Sequence, residues 1–530
     1  MLLIMGKDST FCEKRKIKSQ KYFEFSSFYR IFASNKYQIN MKNFRLLLIV
    51  FLCGFALTAT AQKKFSVYGV GFYNVENLFD TCHDVGKRDF EYLPNGSNRW
   101  NARKYKSKLR NMSKALADLG TDVLPNVGCA VIGMAEVENA KALDDLTAEA
   151  PLRARGYKYI LVEGPDMRGV DVALLYNPSL FTPTDTAYHY YIKKDVEAEE
   201  EDEAREELEL TEDEQAVSNA AEKDPTISAV LKPDMLPKYP GGMAELMKWL
   251  QKEVKYPKDA IKEEIEGRVL VQFVVDEHGK VLNPKVIKGV HPLLDAEALR
   301  AVGEMKDWEP GMMKDGVAVR VKYTLPVRFA VGSGPDLPKN VSHTRGFLTI
   351  TGKLAGETVT IIVCHWPSRF NGSERREWAG HQVHKIVEDL LAKNPDNKIF
   401  VMGDLNDDPT NKSVTEGLRG KAEIKDVKEG DMYNPWYNIL AKDGQGTLAY
   451  GGSWNLFDQI LMTRNLLDIS GKKDYTTLKY WKCQIQRRNY LFQTEGRYKG
   501  NPKRTHAGGV WLDGYSDHLP TIVYLVKEQK

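Results

Sequence analysis

"KIFVMGDLNDDPT", residues 398–410, is an apolar run that ends in acid. Lys398 to Met402 has the β-branched and aromatic content of a strand. Asp404 and Asn406 follow two residues apart, so on extended backbone both leave on the same side. The pattern recurs along the chain. "FYNVENLFD" ends a strand-like run at Asn74 and Glu76, "GMAEVEN" at Glu136 and Glu138, and "VCHWPSR" at His365. "LFDQIL" begins a run at Asp458, and "YSDHLP" puts Asp517 and His518 just before the last one. Each residue alone also reads as a turn or strand cap. Together they are carboxylates, carboxamides and imidazoles gathered at strand ends. Such groups converge only where a charge neutralises them, and a hard divalent cation with oxygen ligands meets that need.

The other strand candidates set the architecture. "KFSVYGVGFYN", "CAVIGMAEVE", "YKYILVEG" and "DVALLYN" come early. "RGFLTITGKL", "ETVTIIVCHW", "FDQILMT" and "TIVYLV" come late. Between them, "YKSKLRNMSKALADL" aligns Tyr105, Leu109, Met112, Leu116 and Leu119 on one helical face. "SERREWAGHQVHKIVEDLLAKN" is a second amphipathic segment, with His381 and His384 assigned to its wet face. Many strands with a few outer helices predict an α+β fold of two packed sheets flanked by helices.

At 530 residues the chain is long for one core, and its middle differs from its flanks. Residues 195–224 hold fifteen Asp or Glu against two Lys or Arg and no aromatic residue. That stretch reads as an acidic disordered or weakly helical linker. Residues 225–329 become globular again. "GGMAELMKWLQKEV" and "LLDAEALRAVGEM" are helical, "RVLVQFVV" and "VAVRVKYTLPVRF" are strands, and "DEHGK" is a hairpin turn.

Two resemblances follow from these motifs. "PKYPGG", "VKYPKDA", "EGRVLVQFVVDEHGKV", "LLDAEALRAV" and "DWEPG" run in the order of the TonB C-terminal domain family. That resemblance implies a sheet edge that pairs with an extended peptide of an outer-membrane receptor. The membrane anchor and Pro-rich stalk of energy-transducing members have no counterpart here, which speaks against coupling to a proton gradient. The outer segments, 62–194 and 330–530, resemble the endonuclease/exonuclease/phosphatase (deoxyribonuclease I-like) family, through the order Asn74, Glu136, His365, Asp404-x-Asn406, Asp458, Asp517-His518. This implies a four-layered α/β/β/α sandwich with a small α+β insert, and Mg²⁺- or Mn²⁺-assisted phosphoester hydrolysis.

The second resemblance also implies roles. Glu136 is the principal metal ligand, with Asn74 and Asp517 completing or flanking the site. Asp404 holds or activates the attacking water, and Asn406 donates to a phosphate oxygen. His518 lies beside the scissile phosphate, oriented by Asp458, and His365 is a general acid or phosphate donor. Glu138 competes with Glu136 for the ligand role, and Glu76 stands behind it. Arg168 and a basic loop with Arg497, Lys499 and Arg504 are candidate contacts to substrate phosphate.

The leader completes the reading. Met41 to Arg45 is a basic head, Leu46 to Leu57 an apolar run of 12 residues, and Ala59-Thr60-Ala61 a cleavage signature. The run is short against the roughly 20 residues of a membrane span. Residues 1–61 therefore read as a leader and signal peptide starting at Met41, with export to the periplasm, the outer membrane or the medium. Cys82, Cys129, Cys364 and Cys483 lack C-x-x-C spacing, which argues against a zinc knuckle. The expected function is a secreted phosphodiesterase, foremost a nuclease, with a partner-docking insert. The alternatives are a phosphatase or phospholipase of the same family, or a docking module on an inactive scaffold.

Overall fold

The computed structural model describes residues 63–195, 201, 204–205, 208–210, 212–221, 233–262, 265–329, 337–369, 372–496, 498–507 and 510–529. The leader, its signal-like segment and Arg497 lie outside these. Two mixed sheets form the body. The first runs in the order Lys479–Ile485, Thr521–Glu528, Phe65–Leu78, Val131–Val137, Asp171–Tyr176, Lys158–Leu161. The second runs Gly420–Lys421, Met432–Tyr433, Asp458–Thr463, Lys398–Asp404, Glu357–His365, Phe347–Leu354, Phe181–His189.

At the heart of each sheet is one parallel pair. Phe65–Leu78 runs parallel to Val131–Val137, and Glu357–His365 runs parallel to Lys398–Asp404. Parallel neighbours bring their carboxyl ends side by side, so Asn74 lies opposite Ala135 and His365 opposite Asp404. The flanking strands are antiparallel and begin where these end: Asp458 pairs with Asp404, and Thr521 with Phe72. Every polar strand end singled out in the sequence therefore points to one rim.

The sheets pack face to face through Phe72, Met134, Val363, Phe400 and Met402, all buried. The gap between them is narrow at Gly133, where a Cβ would sit 2.5 Å from Met402 Sδ and 3.0 Å from Phe72 Cδ2. The helix Ala102–Asp118 covers the outer face of the first sheet. Its Asn101 cap accepts from Arg103 N and Lys104 N, and it buries Tyr105, Leu109, Met112 and Leu116 as the periodicity predicts. Glu374–Lys393 covers the second sheet. On that helix His384 is buried, its Nε2 2.7 Å from Gly430 O, so it does not belong to the wet face assigned to it. The loop carbonyl of Gly430 supplies the partner that makes this burial tolerable.

The insert has its own core. Val269, Val271, Phe273 and Val275 alternate onto the helices Gly242–Glu253 and Pro292–Gly303. Its sheet order is Val321–Phe329, Gly267–Val275, Val281–Lys288. The chain leaves and returns at adjacent points: Phe181–His189 pairs with Phe347–Leu354, and Lys193 N donates to Asn340 O at 2.8 Å. An insertion whose ends are already neighbours leaves the host sheet undisturbed.

The acidic run departs from a free spacer where it is described. Glu212–Ala221 is helical, with Glu214 3.4 Å from Arg268 and Ser218 2.7 Å from Thr324 on the insert's sheet. Glu201 caps the helix Gly242–Glu253, accepting from Met243 N at 2.6 Å and Ala244 N at 2.7 Å. Composition counts the repelling charges, whereas basic residues distant in sequence and a helix N-terminus offset them. Among the described residues no helix is long and apolar enough to cross a membrane, and the four cysteines are unpaired.

Gly133→Val is expected to lower unfolding stability by about 1–3 kcal/mol, because its side chain would collide with Met402 of the facing sheet. Urea unfolding measures this, and an unchanged midpoint would show that the gap accommodates side chains.

Candidate active site

Backbone irregularity aims the first acids. The pairing of Phe65–Leu78 with Val131–Val137 is irregular between Asn74 and Leu78. The next pair slips between Ala135 and Val137. Glu76 (φ 48°), Asn77 (φ 56°) and Glu136 (φ 65°) sit in left-handed conformations there, as does Asn406 (φ 50°) at the second sheet's rim. Non-glycine residues adopt that region at a cost, typically where function fixes the geometry. The slip also breaks the alternation that would put Glu136 and Glu138 on one face. Glu136 turns to Asn74, while Glu138 accepts from Asp80 N at 2.6 Å.

Asn74 joins the two sheets. Its Nδ2 donates to Glu136 Oε1 at 2.9 Å and across the sandwich to Asp404 Oδ2 at 3.0 Å. Its Oδ1 accepts from Glu76 N at 2.9 Å. The carboxamide thus stands at the expected rim, its amide holding two acids in place. Glu136 Oε2 accepts from Asn77 N at 3.0 Å, and Asp404 Oδ1 from Asn406 N at 2.9 Å. The Asn406 amide donates to Trp366 O at 3.0 Å. Trp366 itself is buried packing.

The imidazoles enter from either side. His518 Nδ1 lies 2.7 Å from Asp458 Oδ2, while its Nε2 faces Asp404 Oδ2 at 3.7 Å and Asp517 Oδ1 at 3.8 Å. Ser516 Oγ shapes that turn, donating to Asn74 O at 2.8 Å and accepting from His518 N at 3.0 Å. Burial disfavours charge on His518, but Asp458, Asp404 and Asp517 prevail and hold its pKa well above the ordinary value. His365 Nε2 is 3.8 Å from both Glu136 Oε1 and Asp404 Oδ2. Burial first, then Arg345, Arg168 and His518, push its pKa well down, so it is neutral. Burial likewise raises the carboxyls of Glu136 and Asp404.

This donor set fits a hard divalent cation. Ligand atoms of Glu136, His365 and Asp404 lie within 4.8 Å of one another, as do those of Asp404, Asp458 and His518. His365 Nδ1 and Asp458 Oδ1 are buried with no hydrogen-bond partner among the described residues. Oxygen-rich donors pushed up by burial and mutual repulsion are the environment a cation relieves.

The remaining candidates separate. Arg504 reaches the rim, with Nε 3.4 Å from Glu76 Oε1 and a terminal nitrogen 3.5 Å from Asp517 Oδ2. Arg168 pairs with Asp166 at 3.4 Å. Lys499 lies in an exposed turn, and among the described residues nothing ties its ammonium to the rim. Two residues that sequence reasoning missed matter here. Arg345 is buried, pairs with Asp166 at 3.0 Å and donates to Trp366 O at 2.9 Å. Lys108 is buried beneath the rim, where burial pushes its pKa down to about 8. Lys108 interrupts the apolar helix face three residues after Tyr105, a signal the sequence carried. Arg345 stands before a strand in no readable pattern.

Comparison with known proteins identifies the family. The model of the Endonuclease/Exonuclease/phosphatase family matches residues 69–215 and 313–527. That is more than half of the chain, which therefore belongs to this family. The model of the Gram-negative bacterial TonB protein C-terminal matches residues 252–331. Among solved structures, the chain is similar to an endonuclease/exonuclease/phosphatase family protein from Bacteroides thetaiotaomicron (12% identity, 88% of this chain, 97% of that one, TM-score 0.36). It is also similar to a humanized D. rerio TDP2 (9%, 87% and 98%, TM-score 0.35). A third is a mannosyl-6-phosphatase from Bacteroides thetaiotaomicron (12%, 86% and 99%, TM-score 0.34). No curated protein matches.

The Asp166 pair generates a pH prediction. Burial opposes its charge, but Arg168 and Arg345 hold Asp166 down at about 2. An aspartate held below its unfolded value of about 3.9 contributes stability above that value and loses it as pH falls toward 2. Asp166→Asn is expected to flatten this acid limb and to cost about 3–5 kcal/mol at neutral pH, because Arg345 is left buried beside a neutral amide. Urea unfolding at pH 7 and pH 3 decides it, and equal stability at pH 7 rejects the pair as an anchor.

Proposed function

We propose that the chain is an exported, Mg²⁺- or Mn²⁺-dependent phosphodiesterase that cleaves nucleic acid. The observation that carries this reading is the Asn74 amide between Glu136 and Asp404, with the His518–Asp458 pair alongside. Membership of a family of phosphoester hydrolases supplies the reaction class. The choice of nucleic acid rests on His365 at the rim, on the formal net charge of +7 carried by residues 62–194 and 330–530, and on the leader-like N-terminus.

The roles follow from the environments. Glu136 is the principal ligand, Asp517 flanks it, and Asn74 orients it. Asp404, whose basicity burial raises, accepts a proton from the attacking water. His518 is cationic and turned by Asp458 so that Nε2 faces the reaction centre, where it donates to a phosphate oxygen. His365 is neutral, and its Nε2 and the Asn406 amide complete the hydrogen bonding to phosphate. Arg504, at the rim beside Glu76 and Asp517, and Arg168, paired with Asp166, are the arginines assigned to the nucleic-acid backbone. A bound divalent ion would lower the pKa of water and neutralise charge on the phosphate.

The insert adds a docking function. Val281–Lys288 and Val321–Phe329 are the outer strands of its sheet, and an extended peptide of an outer-membrane receptor adds to such an edge. Receptor docking places the enzyme in the periplasm, at the outer membrane or just outside it.

The purified protein is expected to cleave plasmid DNA, single-stranded RNA and a chromogenic phosphodiester with Mg²⁺ and not with EDTA. Asp404→Ala should lower kcat at least about 100-fold, and Asp458→Asn should lower kcat with little change in KM. Activity that survives EDTA or Asp404→Ala would sink the mechanism. Turnover of a sphingomyelin analogue or a phosphomonoester alone would replace nucleic acid as the substrate.

A further inference from the structure

The insert's sheet has two faces, and only one belongs to its core. Val269, Val271, Phe273 and Val275 turn toward the helices Gly242–Glu253 and Pro292–Gly303. Alternation turns Arg268, Leu270, Gln272 and Val274 the other way, and Leu270, Gln272 and Val274 are buried there too. The acidic segment crosses this second face. Its helix Glu212–Ala221 seats Glu214, Val217 and Ser218, which share one side, and leaves Gln215 and Asn219 exposed. Glu214 lies 3.4 Å from Arg268 and 4.0 Å from Lys288, and Ser218 Oγ lies 2.7 Å from Thr324 Oγ1. Arg268 also donates to Glu209 O at 2.6 Å.

This occupant fits the face incompletely. Gln272, whose amide reaches the same Thr324 hydroxyl at 3.4 Å, has its Oε1 buried with no hydrogen-bond partner among the described residues. An unmet buried acceptor costs stability that a better-matched ligand recovers. A helix of 10 residues is also marginal on its own, so this one depends on being docked. The face itself has an apolar centre, Leu270 and Val274, with Arg268 and Lys288 at its margin. The nearby rings of Phe273, Trp308 and Tyr323 pack on one another on the core side, so among the described residues no ring is offered here for a base to stack on. An acidic amphipathic helix matches that chemistry, and a nucleic acid does not. We propose that this second face is a docking surface for an acidic amphipathic helix of a partner protein, with Glu212–Ala221 as its built-in, displaceable occupant. It is separate from the sheet edges assigned to an extended peptide, and it stands whether or not the rim is a metal-dependent hydrolase.

Fluorescence anisotropy of the full chain with a labelled peptide of residues 201–221 tests it. Wild type is expected to bind the peptide weakly, because the tethered helix competes at high effective concentration. Glu214→Lys and Ser218→Arg each unseat the tethered helix. Both are expected to bind the peptide at least about tenfold more tightly, with affinity falling as salt rises. Adding Arg268→Glu to Ser218→Arg should abolish binding, and a peptide carrying Glu214→Lys should restore it. A helix that is a fixed part of the insert predicts no binding to any variant. Absent or unchanged binding in both single variants overturns the proposal, as does binding indifferent to Arg268→Glu. A single-stranded oligonucleotide that displaces the peptide equally well overturns it in favour of nucleic acid. Light scattering that shows two copies exchanging the helix overturns it in favour of a second copy of this chain.

Discussion

One buried amide sets the terms for the site. Asn74 Nδ2 donates to a carboxylate of its own sheet and to a carboxylate of the facing sheet. Two acids buried this closely repel each other, and a shared donor is the least costly way to hold them without charge. The requirement propagates outward. Glu136 must turn through a left-handed backbone position to reach the amide, and the strand register slips around it. Ser516 ties the carbonyl of Asn74 to the turn that carries His518. The narrow packing at Gly133 keeps the sheets close enough for one side chain to span them.

The electrostatic design is a balance of fixed charges. Three acids, Asp404, Asp458 and Asp517, meet His518 at the rim, with Glu136 and Glu76 beyond them. Arg504 stands at the outer edge and Lys108 beneath. On the far side, Arg345 and Asp166 form a buried pair, and burial, aided by Arg345, pushes the pKa of His365 well down. The two histidines are thus pushed in opposite directions, because acids outweigh burial at His518 while burial, with Arg345 and Arg168, outweighs the nearby acids at His365.

The insert shows how a second unit is added without disturbing the host sheet. It enters between strands that pair with each other, so the host sheet closes as if the loop were short. It also touches the host near the rim, where His83 lies 3.0 Å from Glu266 and the Arg328 guanidinium lies 5.7 Å from the Phe90 ring centroid. The acidic run belongs to this arrangement, since Glu201 and Glu214 bind the insert.

The sequence alone determined the element types, the two-sheet body, the inserted unit and the residues that reach the rim. Those properties are local: alternation, helical periodicity and polar residues at strand ends are written in adjacent positions. Tertiary structure decided which atoms meet. It turned Glu136 to the Asn74 amide and Glu138 to the Asp80 backbone, buried His384, docked the acidic helix and brought Lys108 and Arg345 under the rim. No spacing along the chain encodes these. They depend on backbone bulges and on the gap between two sheets, and both are set only when residues hundreds of positions apart pack against one another.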